Sequence, residues 1–88
     1  MTYHVVFTEK ATKEFSKLDK YTQKIILNWI EKNLEGTENP RLHGKALVAN
    51  RSGQWRYRVG DYRIIVNIED DRLVILVINV GHRREIYN

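Results

Sequence analysis

Three arginines, Arg56, Arg58 and Arg63, have the type and spacing in this chain that most directly indicate chemistry. The first two alternate with large apolar residues in the segment QWRYRV, which is the period of a strand with one buried face. Planar guanidinium groups bind oxyanions through paired hydrogen bonds. Side by side on one strand face, they predict a site for an anion, most simply a phosphate.

The dipeptide Gly60-Asp61 follows this strand and predicts a tight hairpin turn. If the turn has two residues, Val59 lies opposite Tyr62 and Arg58 lies opposite Arg63. Like charges that face each other destabilise a sheet, so the arrangement indicates that the arginines have a use. The alternative is an exposed arginine face that pairs with acidic residues of the helices.

The C-terminal segment GHRREIY, residues 81–87, is the second candidate site. His82 can transfer a proton near neutral pH, Arg83 can stabilise charge on a phosphate, and the Tyr87 ring can stack on a base. The alternative is a frayed basic terminus in which Ile86 and Tyr87 pack on the core.

The net charge of +4 is concentrated in one part of the chain. Residues 41–63 contain six basic residues against one acid, whereas residues 1–40 are balanced and residues 64–88 carry one excess negative charge. Such a segment is typical of binding to nucleic acid or to an acidic protein, and the alternative is a solubility patch. For His43 and Lys45, which are expected to lie in a loop, the alternative is that they are exposed to solvent and bind nothing. The residues predicted to bind nucleic acid, in this segment and in the C-terminal tail, are Arg41, His43, Lys45, Arg51, Gln54 and Arg84.

Several kinds of site are disfavoured by the composition. The chain has no cysteine, so it can form neither a disulfide nor a thiolate metal site. Its three histidines lack metal-ligand spacing, and no glycine-rich phosphate loop or nucleophile elbow is present, so we expect no metal and no cofactor. No apolar run approaches ~20 residues and the N-terminus has no signal-peptide pattern, so we expect a cytoplasmic protein without a membrane contact.

Hydrophobic spacing predicts a single domain over residues 1–88 with the element order β-α-α-β-β-β. The predicted elements are a strand at residues 3–7, helices ending near residues 18 and 34, and strands at residues 54–59, 62–68 and 73–80. Thr8 and Asp19 are the predicted N-caps of the helices. The last strand is apolar on both faces and is expected at the centre of the sheet. The fold class is α+β, a curved, mainly antiparallel four-stranded sheet with the helical hairpin packed on one face and a basic groove on or beside the other.

The segments HGKAL, QWRYRVGDYRIIV and VGHRREIY, after a β-α-α opening, resemble the RelE/ParE toxin superfamily, and most closely its RelE-type members. The resemblance covers nearly the whole chain, and the GDYR turn and the VGHRREIY ending are its specific parts. It implies a toxin of a bacterial toxin–antitoxin module that a RelB-like antitoxin neutralises. It also implies a metal-independent endoribonuclease that cuts mRNA in the ribosomal A site through attack of a 2′-hydroxyl on the adjacent phosphate.

By position, the resemblance implies a catalytic set that consists of Arg56, Arg58, Arg63, His82, Arg83 and Tyr87. In the best-known RelE-type members the two positions on the first strand of this set are lysines, and no glutamate accompanies the arginines here. Because arginine stays protonated, we interpret the two strand arginines as groups that position and polarise the RNA. Arg63 and Arg83 are expected to stabilise charge on the phosphate. His82 is expected to transfer a proton, and Tyr87 to orient the base or the hydroxyl.

Two alternatives share the fold. A ParE-type inhibitor of DNA gyrase binds a protein and cleaves no RNA, and it would not need the basic tail with His82 and Tyr87. A non-catalytic RNA-binding or protein-binding module would use the arginines for binding alone.

Overall fold

The computed structural model describes residues 1–47 and 53–82. Its elements in chain order are β1 (His4–Phe7), α1 (Glu9–Ser16), α2 (Lys20–Asn33), β2 (Lys45–Ala46), β3 (Gln54–Val59), β4 (Tyr62–Glu69) and β5 (Val74–His82). The prediction of an α+β fold with an N-terminal helical hairpin is confirmed.

The five strands form one sheet in the order β1-β5-β4-β3-β2. β1 runs parallel to β5, and the other neighbouring pairs are antiparallel. β5 lies between β1 and β4, which is the interior position predicted from its apolar sequence. The prediction of four strands was wrong by one. The additional strand, Lys45–Ala46, has only two residues and therefore leaves no period in the sequence.

Each helix begins after the predicted N-cap residue. The Thr8 hydroxyl accepts a hydrogen bond from the Ala11 amide at 3.1 Å, and the Asp19 carboxylate accepts one from the Thr22 amide at 3.4 Å. These side chains satisfy amide groups that have no partner within the first turn of a helix. Both starts are set by local sequence, which is why they could be predicted.

The helices pack on one face of the sheet, which we call the helix face. Tyr57 is fully buried on this face, where its ring centroid lies 5.5 Å from that of Trp29. The Tyr57 hydroxyl donates a hydrogen bond to the Pro40 carbonyl at 2.5 Å, and burial raises the pKa of this phenol. The buried core comprises Tyr3, Ala11, Ile26, Ile30, Leu34, Tyr57, Val59, Ile64, Val66, Ile68, Ile75, Val77 and Val80.

A β-bulge in β5 changes which residues of that strand face the helices. The adjacent β4 residues Ile65 and Val66 pair with Asn79 and Val77, so Ile78 is an extra residue in β5. An extra residue shifts the phase of a strand by one position. Val80 and His82 therefore face the helices. An uninterrupted period of two would turn both side chains to the other side of the sheet.

The carboxylate of Glu14, from α1, lies at this bulge. It accepts a hydrogen bond from the Val80 amide at 2.9 Å and lies 3.3 Å from the side-chain nitrogen of Asn79. β1 pairs with β5 only as far as Val77. The Glu14 carboxylate thus takes the place of a strand partner for the Val80 amide.

Candidate functional site

The hairpin between β3 and β4 has the register that the sequence predicted. Gly60 has φ +60°, and Asp61 has no positive φ, which is the pattern of a two-residue type II′ turn. Val59 pairs with Tyr62, and Arg58 pairs with Arg63. The two arginines are therefore direct cross-strand partners, as predicted.

Arg58 and Arg63 lie on the side of the sheet that faces away from the helices. The pair that closes a two-residue hairpin exchanges hydrogen bonds, so the next pair is the closer, non-hydrogen-bonded kind, with Cα atoms ~4.5 Å apart. Arg58 is exposed to solvent, whereas Arg63 is 8% exposed. A guanidinium held in a desolvated position interacts more strongly with an anion than one in bulk water does. The buried Arg63 side chain is thus held in one position, whereas the exposed Arg58 side chain can change its conformation.

The short strand β2 brings a further cation to this surface. Lys45 pairs with Arg56, and Arg56 lies two residues before Arg58, on the same strand face. We call Lys45, Arg56, Arg58 and Arg63 the arginine face. Lys45 was predicted to bind RNA as a loop residue. Its place beside Arg56 could not be predicted, because it depends on pairing between segments that lie eleven positions apart.

Two uncharged positions border the arginine face. Gly81 of β5 pairs with Arg63, so the β5 position directly opposite Arg63 carries no side chain. Gln54 pairs with Asn67 and lies two residues before Arg56, on the same strand face. The Gln54 Oε1 atom is buried and has no hydrogen-bond partner among the described residues.

Arg41, a predicted RNA-binding residue, pairs with the turn that follows β4. Its guanidinium binds both carboxylate oxygens of Asp70, at 3.1 and 2.9 Å, and Tyr3 donates a further hydrogen bond to Asp70 at 2.5 Å. Hydrogen bonds from Arg41 and Tyr3 hold the pKa of the Asp70 carboxyl below its ordinary value. The same bond raises the pKa of Arg41. Arg41 thus ties its loop to the turn between β4 and β5.

His43 lies on the helix side of β3. Its ring packs edge-on against Trp29, with centroids 5.7 Å apart, and its carbonyl accepts a hydrogen bond from Trp55 Nε1 at 2.6 Å. Gly44 follows with φ +80°, and an added Cβ atom would lie 2.2 Å from the Arg56 carbonyl oxygen. Because the backbone at Gly44 packs directly against β3, the next residue, Lys45, can pair with Arg56.

His82 lies on the helix face and not on the arginine face. It pairs with Tyr62, and the two rings pack edge-on with centroids 5.5 Å apart. A period of two counted from Ile75 and Val77 would put His82 on the same side of the sheet as Arg63. The bulge at Ile78 reverses that phase, so His82 lies on the opposite side of the sheet from Arg56, Arg58 and Arg63.

The remaining predicted site residues, Arg51, Arg83, Arg84 and Tyr87, lie outside the described residues. In the ranges 1–47 and 53–82, no group of three or more histidine, cysteine, aspartate or glutamate side chains could hold a metal ion. Over the same ranges, no helix is both long and apolar enough to cross a membrane.

Comparison with known proteins places this geometry in a family. A family model described as the ParE toxin of the type II toxin–antitoxin system parDE matches residues 5–87. The chain belongs to this toxin family. Toxin RelG of Mycobacterium tuberculosis is 29% identical over 87 residues, which cover 99% of this chain and 98% of the relative. The mRNA interferase toxin RelE of Escherichia coli is 30% identical over 91 residues, which cover 100% of this chain and 93% of the relative.

Solved structures of such toxins have the same fold. A chain in the toxin–antitoxin complex RelBE2 from M. tuberculosis superimposes with a TM-score of 0.84 at 26% identity, over 94% of this toxin and 93% of that chain. The isolated E. coli RelE toxin superimposes with a TM-score of 0.75 at 25% identity, over 92% of this toxin and 84% of that chain. The resemblance to the RelE/ParE superfamily that the sequence motifs indicated is therefore confirmed.

Proposed function

We propose that this toxin is an mRNA endoribonuclease of the RelE type, which inhibits translation by cutting mRNA in the ribosomal A site. The observation that carries the proposal is the cross-strand pairing of Arg58 with Arg63 on the sheet face away from the helices. Arg56 and Lys45 extend the positive charge along the same face, as a bound phosphodiester chain requires. The similarity to proteins named mRNA interferase RelE supports the same activity.

In the proposed reaction the 2′-oxygen of one nucleotide forms a bond to the adjacent phosphorus, and the bond from phosphorus to the 5′-oxygen of the next nucleotide breaks. The 2′-hydroxyl loses its proton, and the leaving 5′-oxygen gains one. Negative charge grows on the phosphate oxygens as this happens. Arg63 is suited to stabilise that charge because it is held in place before RNA binds, and Arg58 can adapt to the phosphate from the neighbouring strand. This step needs no metal ion.

Positioning by the ribosome supplies the rest of the proposed catalysis. A guanidinium is not a general base, so Arg56 and Arg58 are proposed to hold and polarise the RNA. Alignment of the 2′-oxygen with the bond that breaks removes much of the entropic barrier. Arg83 and Tyr87 are proposed to complete the site from the C-terminal segment. The contact residues proposed for RNA or the ribosome are Lys45, Gln54, Arg51 and Arg84.

The proposed partners are the ribosome with its mRNA and a RelB-like antitoxin. Antitoxin binding is supported by the similarity to chains solved in RelBE complexes from M. tuberculosis, E. coli and Pyrococcus horikoshii. Because translating ribosomes are the proposed substrate, the proposed place of action is the cytoplasm.

Single-turnover cleavage on ribosomes that carry a defined message tests the proposal. We expect new mRNA ends in the A-site codon and a loss of about 10²–10³-fold in rate for Arg63→Ala. Arg72→Ala is the matched control, because Arg72 lies in the turn at the opposite end of β4, bound to Glu69 at 2.6 Å. A message with a 2′-deoxy nucleotide at the cut position should stay intact. Uncut message with folded wild-type toxin would contradict the proposal.

Inhibition of DNA gyrase is the second candidate, because the matching family model is described as a ParE toxin. A supercoiling assay with purified gyrase separates the two functions. We expect the toxin to leave gyrase unaffected at concentrations that cleave ribosome-bound message.

The same cleavage assay tests the alternative of a non-catalytic RNA-binding module. If Arg63→Ala reduced cleavage and ribosome binding equally, the arginine face would act in binding alone.

A further inference from the structure

The bulge in β5 decides which residue of that strand lies opposite Arg63. Before the bulge the register pairs Val66 with Val77. Continued without an extra residue, that register would bring Val80 opposite Arg63. In the bulged strand Gly81 has this place, and Val80 is 3% exposed in the core on the helix face. The bulge therefore exchanges a branched side chain for a glycine on the arginine face.

A side chain opposite Arg63 would compete with the arginine for space. Directly opposed residues in an antiparallel pair have Cβ atoms ~4.5–5.5 Å apart, so their side chains are in contact. Arg63 is 8% exposed, so little free volume surrounds it. A valine in the opposed position would move the guanidinium away from the place where it is proposed to meet the phosphate.

The Glu14 carboxylate contacts β5 directly after the bulge. It accepts a hydrogen bond from the Val80 amide at 2.9 Å and another from the side chain of Asn79 at 3.3 Å. Successive residues of a strand direct their amides to opposite sides, so the Val80 amide points away from β4. Without the extra residue this amide would point towards β4, out of reach of Glu14. The bond from Val80 to Glu14 is thus specific to the bulged register.

We propose that Glu14 is a positioning residue for the cleavage reaction. By holding the bulged register, it keeps the position opposite Arg63 free of a side chain and so keeps the guanidinium aligned with the phosphate. Bulges are over-represented next to active sites, where they redirect side chains. Glu14 acts from α1 through the backbone of β5 and is not itself a catalytic residue. The inference rests on the proposed mRNA cleavage and adds how the fold prepares it.

Single-turnover cleavage of ribosome-bound message, at a temperature where each variant is folded, tests this role. We expect Glu14→Ala to lower the maximal rate about tenfold or more, because a displacement of about 1 Å at a reacting group can cost 10²-fold. The ribosome concentration at half the maximal rate should change less than about twofold, since every cation of the arginine face is retained. Glu14→Gln keeps an acceptor oxygen and should restore the rate to within about threefold of wild type.

Thr8→Ala is the matched control for a loss of stability. The Thr8 hydroxyl caps the same helix through the Ala11 amide, and its removal destabilises the protein by an amount comparable with loss of the Glu14 bond. It leaves the contact with β5 in place, so its maximal rate should stay within about twofold of wild type. An equal fall in rate in Thr8→Ala and Glu14→Ala would show that Glu14 acts through stability alone and would overturn the proposal.

Gly81→Val tests the same step with the Glu14 bond retained. It adds a branched side chain opposite Arg63, and we expect a similar fall in maximal rate. An NMR measurement that needs no RNA follows the guanidinium itself: the Arg63 Nε–H resonance should shift in Glu14→Ala and Gly81→Val and stay unchanged in Thr8→Ala. An unchanged resonance in folded Glu14→Ala, or a wild-type cleavage rate in that variant, would overturn the proposal. Absence of cleavage by the wild type is a different result, which contradicts the proposed function.

Discussion

The Glu14 carboxylate accepts a hydrogen bond from the Val80 amide at 2.9 Å, at the point where β5 continues beyond the end of β1. A helix thereby supplies the acceptor that a neighbouring strand would supply in a longer sheet. The contact joins α1 to the bulged part of β5, which ends at His82. The phase of the residues that follow the bulge therefore depends on a side chain 66 positions away in sequence.

Glu14→Ala is expected to lower the free energy of unfolding by about 1–2 kcal/mol, because the Val80 amide loses its acceptor. Glu14→Gln retains an acceptor oxygen and should recover most of the loss. Urea denaturation at neutral pH measures both effects. Glu9→Ala is the control, since the Glu9 side chain is in the same helix and 90% exposed, and its change should stay within about 0.5 kcal/mol. Equal losses in the alanine variants would show that the bulge does not depend on the carboxylate.

Gly44→Ala is expected to destabilise the fold by about 3 kcal/mol or more, because a Cβ atom would lie 2.2 Å from the Arg56 carbonyl oxygen and 2.8 Å from Trp55 Nε1. Gly36→Ala separates the steric effect from backbone strain. Gly36 has φ +79°, almost the value at Gly44, but nothing lies within 4 Å of its added Cβ. Strain alone should cost about 1–2 kcal/mol there. Thermal or urea unfolding that gave the same loss at both glycines would contradict the close packing against β3.

The contact between Arg41 and Asp70 should make stability depend on pH in the acidic range. The pKa of Asp70 is lowered from 3.8 by hydrogen bonds from Arg41 and Tyr3. Because the folded state holds the carboxyl ionised, the stabilisation is complete above the unfolded pKa and is lost as the pH falls through the folded pKa. We expect the difference in Tm between wild type and Arg41→Ala to be constant above about pH 5 and to close at lower pH. A difference that did not change with pH would show that Arg41 stabilises the fold by packing alone.

His82→Ala is expected to retain cleavage within about threefold of wild type, because His82 packs on Tyr62 on the helix face and a catalytic histidine typically contributes 10²-fold or more. Single-turnover rates between about pH 5.5 and 8.5 provide the measurement, since an imidazole that transfers a proton imposes a titration in that range. A hundredfold loss at His82→Ala, together with loss of a pH-dependent step, would return this residue to the proton-transfer role that the family resemblance implied. Unfolding curves would separate that result from loss of the packing on Tyr62.

Local patterns explain which parts of the fold and site could be predicted. The pairing of Arg58 with Arg63 follows from a period of two and a turn dipeptide, both of which lie within ten residues. The N-caps at Thr8 and Asp19 also depend only on the next three residues. The arginine face could therefore be derived from the sequence as far as β3 and β4 contribute to it.

Distant contacts explain what could not be predicted. β2 is held by the bond from Trp55 to the His43 carbonyl and by the close approach at Gly44, neither of which has a periodic signal. The face of His82 depends on the bulge at Ile78. Arg41 lies in the basic segment of the sequence, but its bond to Asp70 joins residues 29 positions apart and has no local signal. Each of these differences arises from a tertiary contact.

The pairing of Arg58 with Arg63 has a consequence for the free toxin. Two guanidiniums on adjacent strands repel each other, and any anion between them relieves that repulsion, whatever its origin. Abundant cellular RNA is then expected to compete with the message for the same groups. Under the proposed function, bulk RNA as well as antitoxin sets how much of this protein is available to a translating ribosome.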